Sequence, residues 1–195
     1  MVVIMRKELD EALCAKYPKI FVDRRAPMTQ TLMCWGFECG DGWYTIIDTL
    51  CGMIQSRIDN ANNDRERAIK WNQMLEDCAH GDYRLFNEYY SYASEQYRVN
   101  KLKTISEEKP REVPPEHGQV VAVQVKEKFA GLRFYVNGAT NEIYNYINFA
   151  ESMSYRTCEV CGSPGKRYTD GWHKTLCDIH AEMEGREEEY AEEEE

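Results

Sequence analysis

The chain has 195 residues, of which 43% are hydrophobic and 30% are charged, so it can form one substantial domain with a small module, and two large domains are excluded. No run of about 20 apolar residues occurs, which excludes a membrane-spanning helix, and the charged start of the chain predicts a protein of the cytoplasm. The net charge of −10 is concentrated from Glu182 onward, so the nearly neutral remainder argues against tight binding to nucleic acid.

The first half of the chain predicts helices. Apolar residues at helical spacing predict a short amphipathic helix over residues 4–16, which ends at Tyr17-Pro18. Asp41 is the expected N-cap of a second helix with one wide apolar face. The members of that face are Trp43, Ile46, Ile47, Leu50, Ile54 and Ile58. Residues 64–99 predict one or two further helices that break near Gly81.

The second half predicts a hairpin and another helix. Residues 101–118 contain three prolines and many charges, so they predict a linker or surface loop, and residues 64–118 are interpreted as an insertion. Period-two alternation then predicts two strands joined around residues 128–131. Their inward residues are expected to be Val121, Val123 and Val125, then Leu132, Phe134 and Val136. A helix follows, with Ile143, Ile147, Ala150 and Ser154 on one side.

The clearest chemical signal is a metal-ligand pattern, Cys158-x2-Cys161-x15-Cys177-x2-His180. Two ligands three positions apart can point at one tetrahedral ion from a tight turn or from the first turn of a helix. Four protein ligands leave no open position for water or substrate, so the pattern predicts one structural zinc ion. His173 is a spare candidate for the fourth ligand, but it falls inside a predicted hairpin, which favours His180.

The segment between the two ligand pairs has a signal for reversing the chain. Asp170-Gly171 predicts a two-residue hairpin turn, and residues 176–183 predict the start of a helix. A knuckle, a hairpin and a helix in this order resemble the treble-clef family of zinc fingers, over residues 158–183 only. The other five cysteines are expected to be reduced thiols.

Two further clusters have alternative interpretations. Cys34-x4-Cys39, with Cys51 and His80, is either a second metal site or a set of core thiols, and the spacing favours core thiols. The acids Glu38, Asp41 and Asp48 are either a catalytic group or a helix cap with two exposed carboxylates. No Ser-His-Asp order, phosphate-binding Gly-Lys-Ser/Thr loop or dinucleotide motif is present, so an enzyme is not indicated.

One face of the predicted hairpin is basic and aromatic, and we call it the basic face: Gln124, Lys126, Lys128, Arg133 and Tyr135. Cations beside an aromatic ring suit a phosphate and a base, so the face predicts a site for a small nucleotide-like ligand. The expected ligand-binding residues are Lys126, Lys128, Arg133, Tyr135, Trp35 and Trp43. The alternative is an ordinary solvated strand face balanced by Glu127.

Three blocks of sequence carry a family resemblance: CWGFECGDGWYTIIDTLC at 34–51, QVKEKFAGLRFYV at 124–136, and AESMSYRTCEVCGSPG at 150–165 followed by GWHKTLCDIHA. They are similar to a family of small proteins encoded by tailed bacteriophages and prophages. That family has Gly-Gly where this chain has Ala130-Gly131. The resemblance implies a phage accessory protein and transfers no activity.

Together these patterns predict an α+β fold, in which a small antiparallel hairpin sheet is flanked by helices within residues 1–155. A treble-clef-like zinc module at 156–183 and an acidic tail at 184–195 complete it. The favoured function is a phage-encoded accessory protein that sequesters a small nucleotide or host defence signal without turnover. Two alternatives stay open: an adaptor whose zinc module binds a host protein or nucleic acid, and a carboxylate- or metal-dependent hydrolase. Self-association of the chain also stays open.

Overall fold

A computed structural model describes residues 4–186 of the chain. From residue 187 on, the predicted acidic tail lies outside the described residues. Within residues 4–186, no helix has an apolar stretch that could cross a membrane. The chain divides into two compact units, one built from residues before 58 and after 117, and one from residues 58–117. The second unit covers most of the region interpreted above as an insertion.

The predicted α+β class is confirmed. In chain order the elements are α1 (Lys7–Lys16), β1 (Phe37–Glu38), α2 (Tyr44–Ala79), α3 (Arg84–Tyr89), α4 (Glu95–Thr104), β2 (Val121–Lys128), β3 (Gly131–Asn137), α5 (Asn141–Ser154), β4 (Lys166–Tyr168), β5 (Lys174–Leu176) and α6 (Asp178–Met183). Short 3₁₀ turns separate several of them, including one at Asp41–Trp43 immediately before α2. The prediction of Asp41 as a helix cap is wrong, because its carboxylate accepts a hydrogen bond from the backbone N–H of Arg6 at 2.8 Å.

The central sheet of the first unit has three strands in the order β1-β2-β3. β2 and β3 are antiparallel, as predicted, but β1 pairs in parallel with β2 through Phe37 opposite Val125. The sheet is therefore mixed, and the prediction of a purely antiparallel hairpin sheet was incomplete. A two-residue strand such as β1 has too little alternation to be recognised in a sequence.

A register shift between Ala122 and Gln124 changes which residues of β2 face the core. Ala122 and Val125 are fully buried, whereas Val121 and Val123 are only partly buried. The expected inward row of three valines is therefore wrong for two of its members, because an extra residue at a bulge reverses the side-chain alternation beyond it. The expectation for β3 is confirmed at Leu132 and Phe134, both buried, whereas Val136 is only partly buried.

The buried residues of the first unit come from the sheet, from the 3₁₀ turns beside it and from α1, α2 and α5. Aromatic rings meet edge to face at its centre, where Phe21 lies 5.0 Å from Phe37 and 6.3 Å from Phe134 between ring centroids. All four residues predicted on the inner side of α5 are buried. One of them, Ser154, accepts a hydrogen bond from the backbone N–H of Leu132 at 2.8 Å, so α5 is tied directly to β3.

The second unit is a small helical unit with its own core. α2 is longer than predicted, with 36 residues, and the chain breaks at Gly81 as expected before α3 and α4. The core contains Trp71, Met74, Cys78, Phe86 and Tyr90. The proline-rich segment after α4 is irregular, as predicted, but it is held against α2 by paired amide hydrogen bonds. Asn72 exchanges two with the backbone of Arg111, at 2.9 and 2.7 Å.

The β2–β3 turn has an unusual backbone. Phe129 and Ala130 both have positive φ angles, of 53° and 66°, in a two-residue hairpin loop. Such a loop favours Asn-Gly, because side chains with a Cβ are strained in the left-handed region. Ala130 therefore does adopt the conformation that a glycine would favour. Phe129 is held in this strained conformation with its side chain 59% exposed.

We expect Phe129→Asn to raise the free energy of unfolding by about 1 kcal/mol, because asparagine tolerates the left-handed region and no buried packing is lost. Urea unfolding measures the change. Phe129→Ala is the matched control, since alanine keeps the backbone penalty and should stay within about 0.5 kcal/mol of the parent chain. Equal stability of the two variants would show that the turn is not left-handed at this position.

Candidate metal centre and adjoining cleft

The four predicted ligands come from two turns of the first unit. Cys158 and Cys161 lie in the tight turn that follows α5, which is closed by a hydrogen bond from Gly162 N–H to the Cys158 carbonyl at 2.8 Å. The turn needs Gly162, whose φ is +79°. Cys177 directly precedes α6, and His180 lies in the first turn of that helix. Strands β4 and β5 connect the two ligand pairs.

The ligand atoms of these four residues lie within 4.8 Å of one another, and theirs is the cluster with metal-binding geometry found among residues 4–186. The Sγ atoms of Cys161 and Cys177 are 3.7 Å apart. The Nδ1 atom of His180 lies 3.6 Å from Cys158 Sγ and 3.1 Å from Cys177 Sγ. Two ligands about 2.3 Å from a tetrahedral ion are separated by roughly 3.7 Å, so the set is consistent with a single metal site.

The local hydrogen bonds favour the thiolate form at the exposed end of the cluster. Hydrogen bonds from the side chain and backbone of Ser163 lower the pKa of Cys161 to about 6. Burial raises the pKa of Cys158, while backbone N–H groups that point at its sulfur act in the opposite direction. Thiolates are the metal-binding form of cysteine. The donor set therefore fits a metal cation both in its geometry and in its chemistry.

The turn that carries Cys158 and Cys161, which we call the metal-binding turn because its cysteines fit a metal site, packs against Gly40-Asp41-Gly42, backbone against backbone. Gly42 N–H donates to the Glu159 carbonyl at 2.8 Å. A Cβ at Gly42 would lie 2.1 Å from the Cys158 carbonyl oxygen, and one at Gly40 would lie 2.2 Å from the Glu159 carbonyl oxygen. In the sequence, these glycines indicate only the start of a helix. Their role is to let the chain approach the metal-binding turn closely.

Buried polar groups reinforce the same contact. Glu159 is buried and accepts a hydrogen bond from Gly40 N–H at 3.0 Å, and burial raises the pKa of its carboxyl to about 7. Trp43 is fully buried, and its indole N–H donates to the Thr157 carbonyl at 2.8 Å. Trp43 was expected among the ligand-binding residues. The structure instead places it in the core, beneath the metal-binding turn.

The other predicted clusters do not form sites. Among the described residues, Cys34, Cys39, Cys51 and His80 do not gather into a metal-binding group, so the alternative of a second metal site is wrong. The three acids each have a separate partner. Asp41 pairs with Arg6 and Asp48 with Lys16, while Glu38 accepts a hydrogen bond from Gln124 at 3.0 Å. These contacts favour structural roles over a shared catalytic role.

The basic face is present, but its residues differ in whether they are free to contact a ligand. Lys126 lies opposite Arg133 in the sheet, and its Nζ is 5.8 Å from the centroid of the Tyr135 ring. Arg133 is already engaged, because it donates to the Tyr155 hydroxyl at 2.7 Å and lies 3.7 Å from a Glu151 oxygen.

Trp35 was also predicted as a ligand-binding residue. It is 56% exposed, in the short 3₁₀ turn before β1. Its ring has no cation partner among the rings and cations of the described chain, and it does not line the cavities found beside the basic face.

A cleft of about 460 Å³ lies where the tip of the β2–β3 hairpin meets the β4–β5 loop, and we call it the inter-hairpin cleft. It is lined by Lys126, Glu127, Lys128, Phe129, Gly171, Trp172 and His173. Its two lysines belong to the basic face. The sequence does not indicate Phe129 or Trp172 for this site, because no pattern in it shows that the two hairpins meet.

The β4–β5 loop is longer than predicted. The last pair of the ladder is Tyr168 with Lys174, so the loop has five residues instead of two. The guanidinium of Arg186 holds this loop, donating to the Asp170 carbonyl and, at 2.9 Å, to the Trp172 carbonyl. By sequence alone, Arg186 falls within the predicted acidic tail.

In comparisons with known proteins, no protein-family model, curated protein or solved structure matches the chain. The class of site is therefore defined by geometry alone, as a Cys₃His cluster consistent with one metal ion.

We expect the metal content of the purified protein to depend on His180 and Cys161. His180→Ala and Cys161→Ser should lose most of the bound metal, because three donors from this set hold an ion much less tightly than four. Elemental analysis gives the metal-to-protein ratio. The controls His173→Ala and Cys34→Ser should keep one ion per chain, and equal loss in the controls would contradict the assignment.

Gly42→Ala is expected to destabilise the first unit by about 3 kcal/mol, because the added methyl collides with backbone atoms that cannot rotate away. Gly118→Ala is the control, since a Cβ there meets nothing within 4 Å. Thermal and urea unfolding compare the two variants. A Gly42→Ala protein as stable as the control would mean that the metal-binding turn does not dock as described.

Proposed function

We propose that this chain is a zinc-binding accessory protein that binds and holds a small nucleotide-like ligand without turnover. The observation that carries the proposal is the placement of Lys126 and Lys128 beside aromatic side chains. Within residues 4–186, neither ammonium group has a carboxylate oxygen within ion-pair distance. Lys126 lies over the Tyr135 ring and Lys128 over the Phe129 ring, at 5.8 and 5.3 Å from the ring centroids. Such cations are suited to phosphate, and such rings to a base.

The metal in this proposal is zinc, in a structural role. Three cysteine sulfurs and one histidine nitrogen are soft and borderline donors, which suit zinc and do not suit magnesium or calcium. Four protein ligands fill a tetrahedral shell, so the ion would stabilise the fold and would not bind substrate. The order of ligand turn, hairpin and helix supports a treble-clef-like module.

We propose binding without turnover because the three candidate catalytic acids do not form a shared group. Glu38, Asp41 and Asp48 each contact a different partner. The sequence also contains no recognisable pairing of a nucleophile with a general base. The phage origin rests on the resemblance of the three sequence blocks. A protein of that origin that holds a nucleotide would act by removing a signal from the infected cell.

An adaptor remains the second candidate, because the proposed zinc module exposes apolar side chains. Ile179 and Met183 of α6 are both largely exposed, four positions apart on one side of the helix. Apolar residues on a small rigid module suit contact with another protein. Strong DNA binding is less favoured because the body of the chain is nearly neutral.

Native mass spectrometry tests the proposed function. The metal-loaded protein is incubated with a mixture of nucleoside monophosphates, nucleoside triphosphates and cyclic dinucleotides. We expect at least one nucleotide to be retained with unchanged mass, and Lys128→Glu to weaken its retention because charge reversal repels phosphate. Lys103→Glu, a charge reversal outside the basic face, is the control. Products of altered mass would indicate an enzyme, and no retained nucleotide would contradict the proposal.

A further inference from the structure

The inter-hairpin cleft has the size and the lining of a small-molecule site. Its volume of about 460 Å³ falls within the usual range for ligand pockets, roughly 300–1,000 Å³. Two large aromatic side chains line it and remain exposed, Phe129 at 59% and Trp172 at 71%. Two lysines complete the combination of flat apolar surface and positive charge. Aromatic surface with a few charged groups beside it is the usual lining of a small-molecule site.

The backbone is constrained at both aromatic residues of the cleft. Phe129 keeps a positive φ of 53°, which strains a bulky residue and which asparagine or glycine would adopt more easily. Trp172 is positioned by Arg186, whose guanidinium donates to the Trp172 carbonyl at 2.9 Å. Backbone strain at one wall and a hydrogen-bonded loop at the other favour a functional role for the cleft.

The two walls are joined by a buried hydrogen bond. The Thr175 hydroxyl, on β5, donates to the Ala130 carbonyl in the β2–β3 turn at 2.7 Å. This contact sets the separation of the two hairpin tips. His173, which also lines the cleft, has its Nδ1 atom buried with no hydrogen-bond partner among the described residues. A buried ring nitrogen of this kind is costly unless a ligand or water supplies a partner.

We propose, building on the proposed function, that the inter-hairpin cleft is the nucleotide site, with the base against Trp172 and Phe129 and the phosphates at Lys126 and Lys128. Trp172 and His173 lie between the second and third metal ligands, Cys161 and Cys177. The metal ion therefore fixes one wall of the site. Nucleotide affinity depends on metal loading, even though the ion does not touch the ligand.

The test is the affinity of the metal-loaded protein for ATP, adenosine and tripolyphosphate, measured by calorimetry. ATP should bind more tightly than either fragment, because base and phosphates each contribute. Trp172→Ala should weaken ATP binding about tenfold or more, since loss of base stacking on an aromatic ring has effects of that order. Trp35→Ala removes another exposed tryptophan outside the cleft, and it should change the affinity less than about twofold.

Two further variants separate the cleft from the rest of the basic face. Phe129→Asn should weaken ATP binding without loss of folding, and it should do so more strongly than Tyr135→Ala, because Phe129 lines the cleft and Tyr135 does not. ATP binding that depends on Tyr135 and not on Trp172 would overturn the cleft assignment and leave the proposed function standing. If the unaltered protein retains no nucleotide in the mass-spectrometry panel, the proposed function itself fails.

Metal removal tests the coupling. Stripping the ion with a chelator should reduce ATP affinity at least as much as Trp172→Ala does, and adding back Zn²⁺ should restore it. Circular dichroism shows whether the helices persist in the stripped protein, so global unfolding is recognised. Unchanged ATP affinity in a metal-free protein that remains folded would overturn the dependence on the metal.

Discussion

The close approach of two backbone segments organises the first unit of this protein. The Gly40–Gly42 segment, which leads into α2, lies directly against the turn that carries Cys158 and Cys161, with no room for a Cβ at either glycine. The buried carboxyl of Glu159 and the indole of Trp43 hydrogen-bond across the same contact. Because these contacts link the metal-binding turn to the start of α2, the cluster is part of the core's edge and not an independent appendage.

The Cys₃His cluster is also connected to the protein surface through the β4–β5 hairpin. The chain leaves Cys161, forms β4 and β5, and returns to Cys177, so a metal ion bound by the cluster would close a loop whose tip carries Trp172. Thr175 connects the same hairpin to the β2–β3 turn. A metal ion held by the cluster would stabilise this loop without contacting its tip, together with the hydrogen bonds that Arg186 and Thr175 make there.

The β2–β3 turn shows a conflict between the local preference of its residues and the observed backbone conformation. A sequence selected for stability alone would place Asn-Gly in a two-residue hairpin loop, whereas this chain has Phe129-Ala130. Conflicts between local preference and the observed fold are expected at functional sites. The second unit has no comparable conflict in its proline-rich segment, where Asn72 satisfies the backbone of Arg111 on both sides.

The sequence by itself determined the elements that depend on local pattern: the apolar face that begins α2, the buried side of α5, the β2–β3 pair and the four members of the Cys₃His set. Each has a periodicity or a ligand spacing that can be recognised within a short window. Tertiary structure alone decided the parallel pairing of β1, the bulge in β2 and the meeting of Phe129 with Trp172 at one cleft. These features depend on contacts between residues far apart in the chain, and such contacts leave no local period to detect.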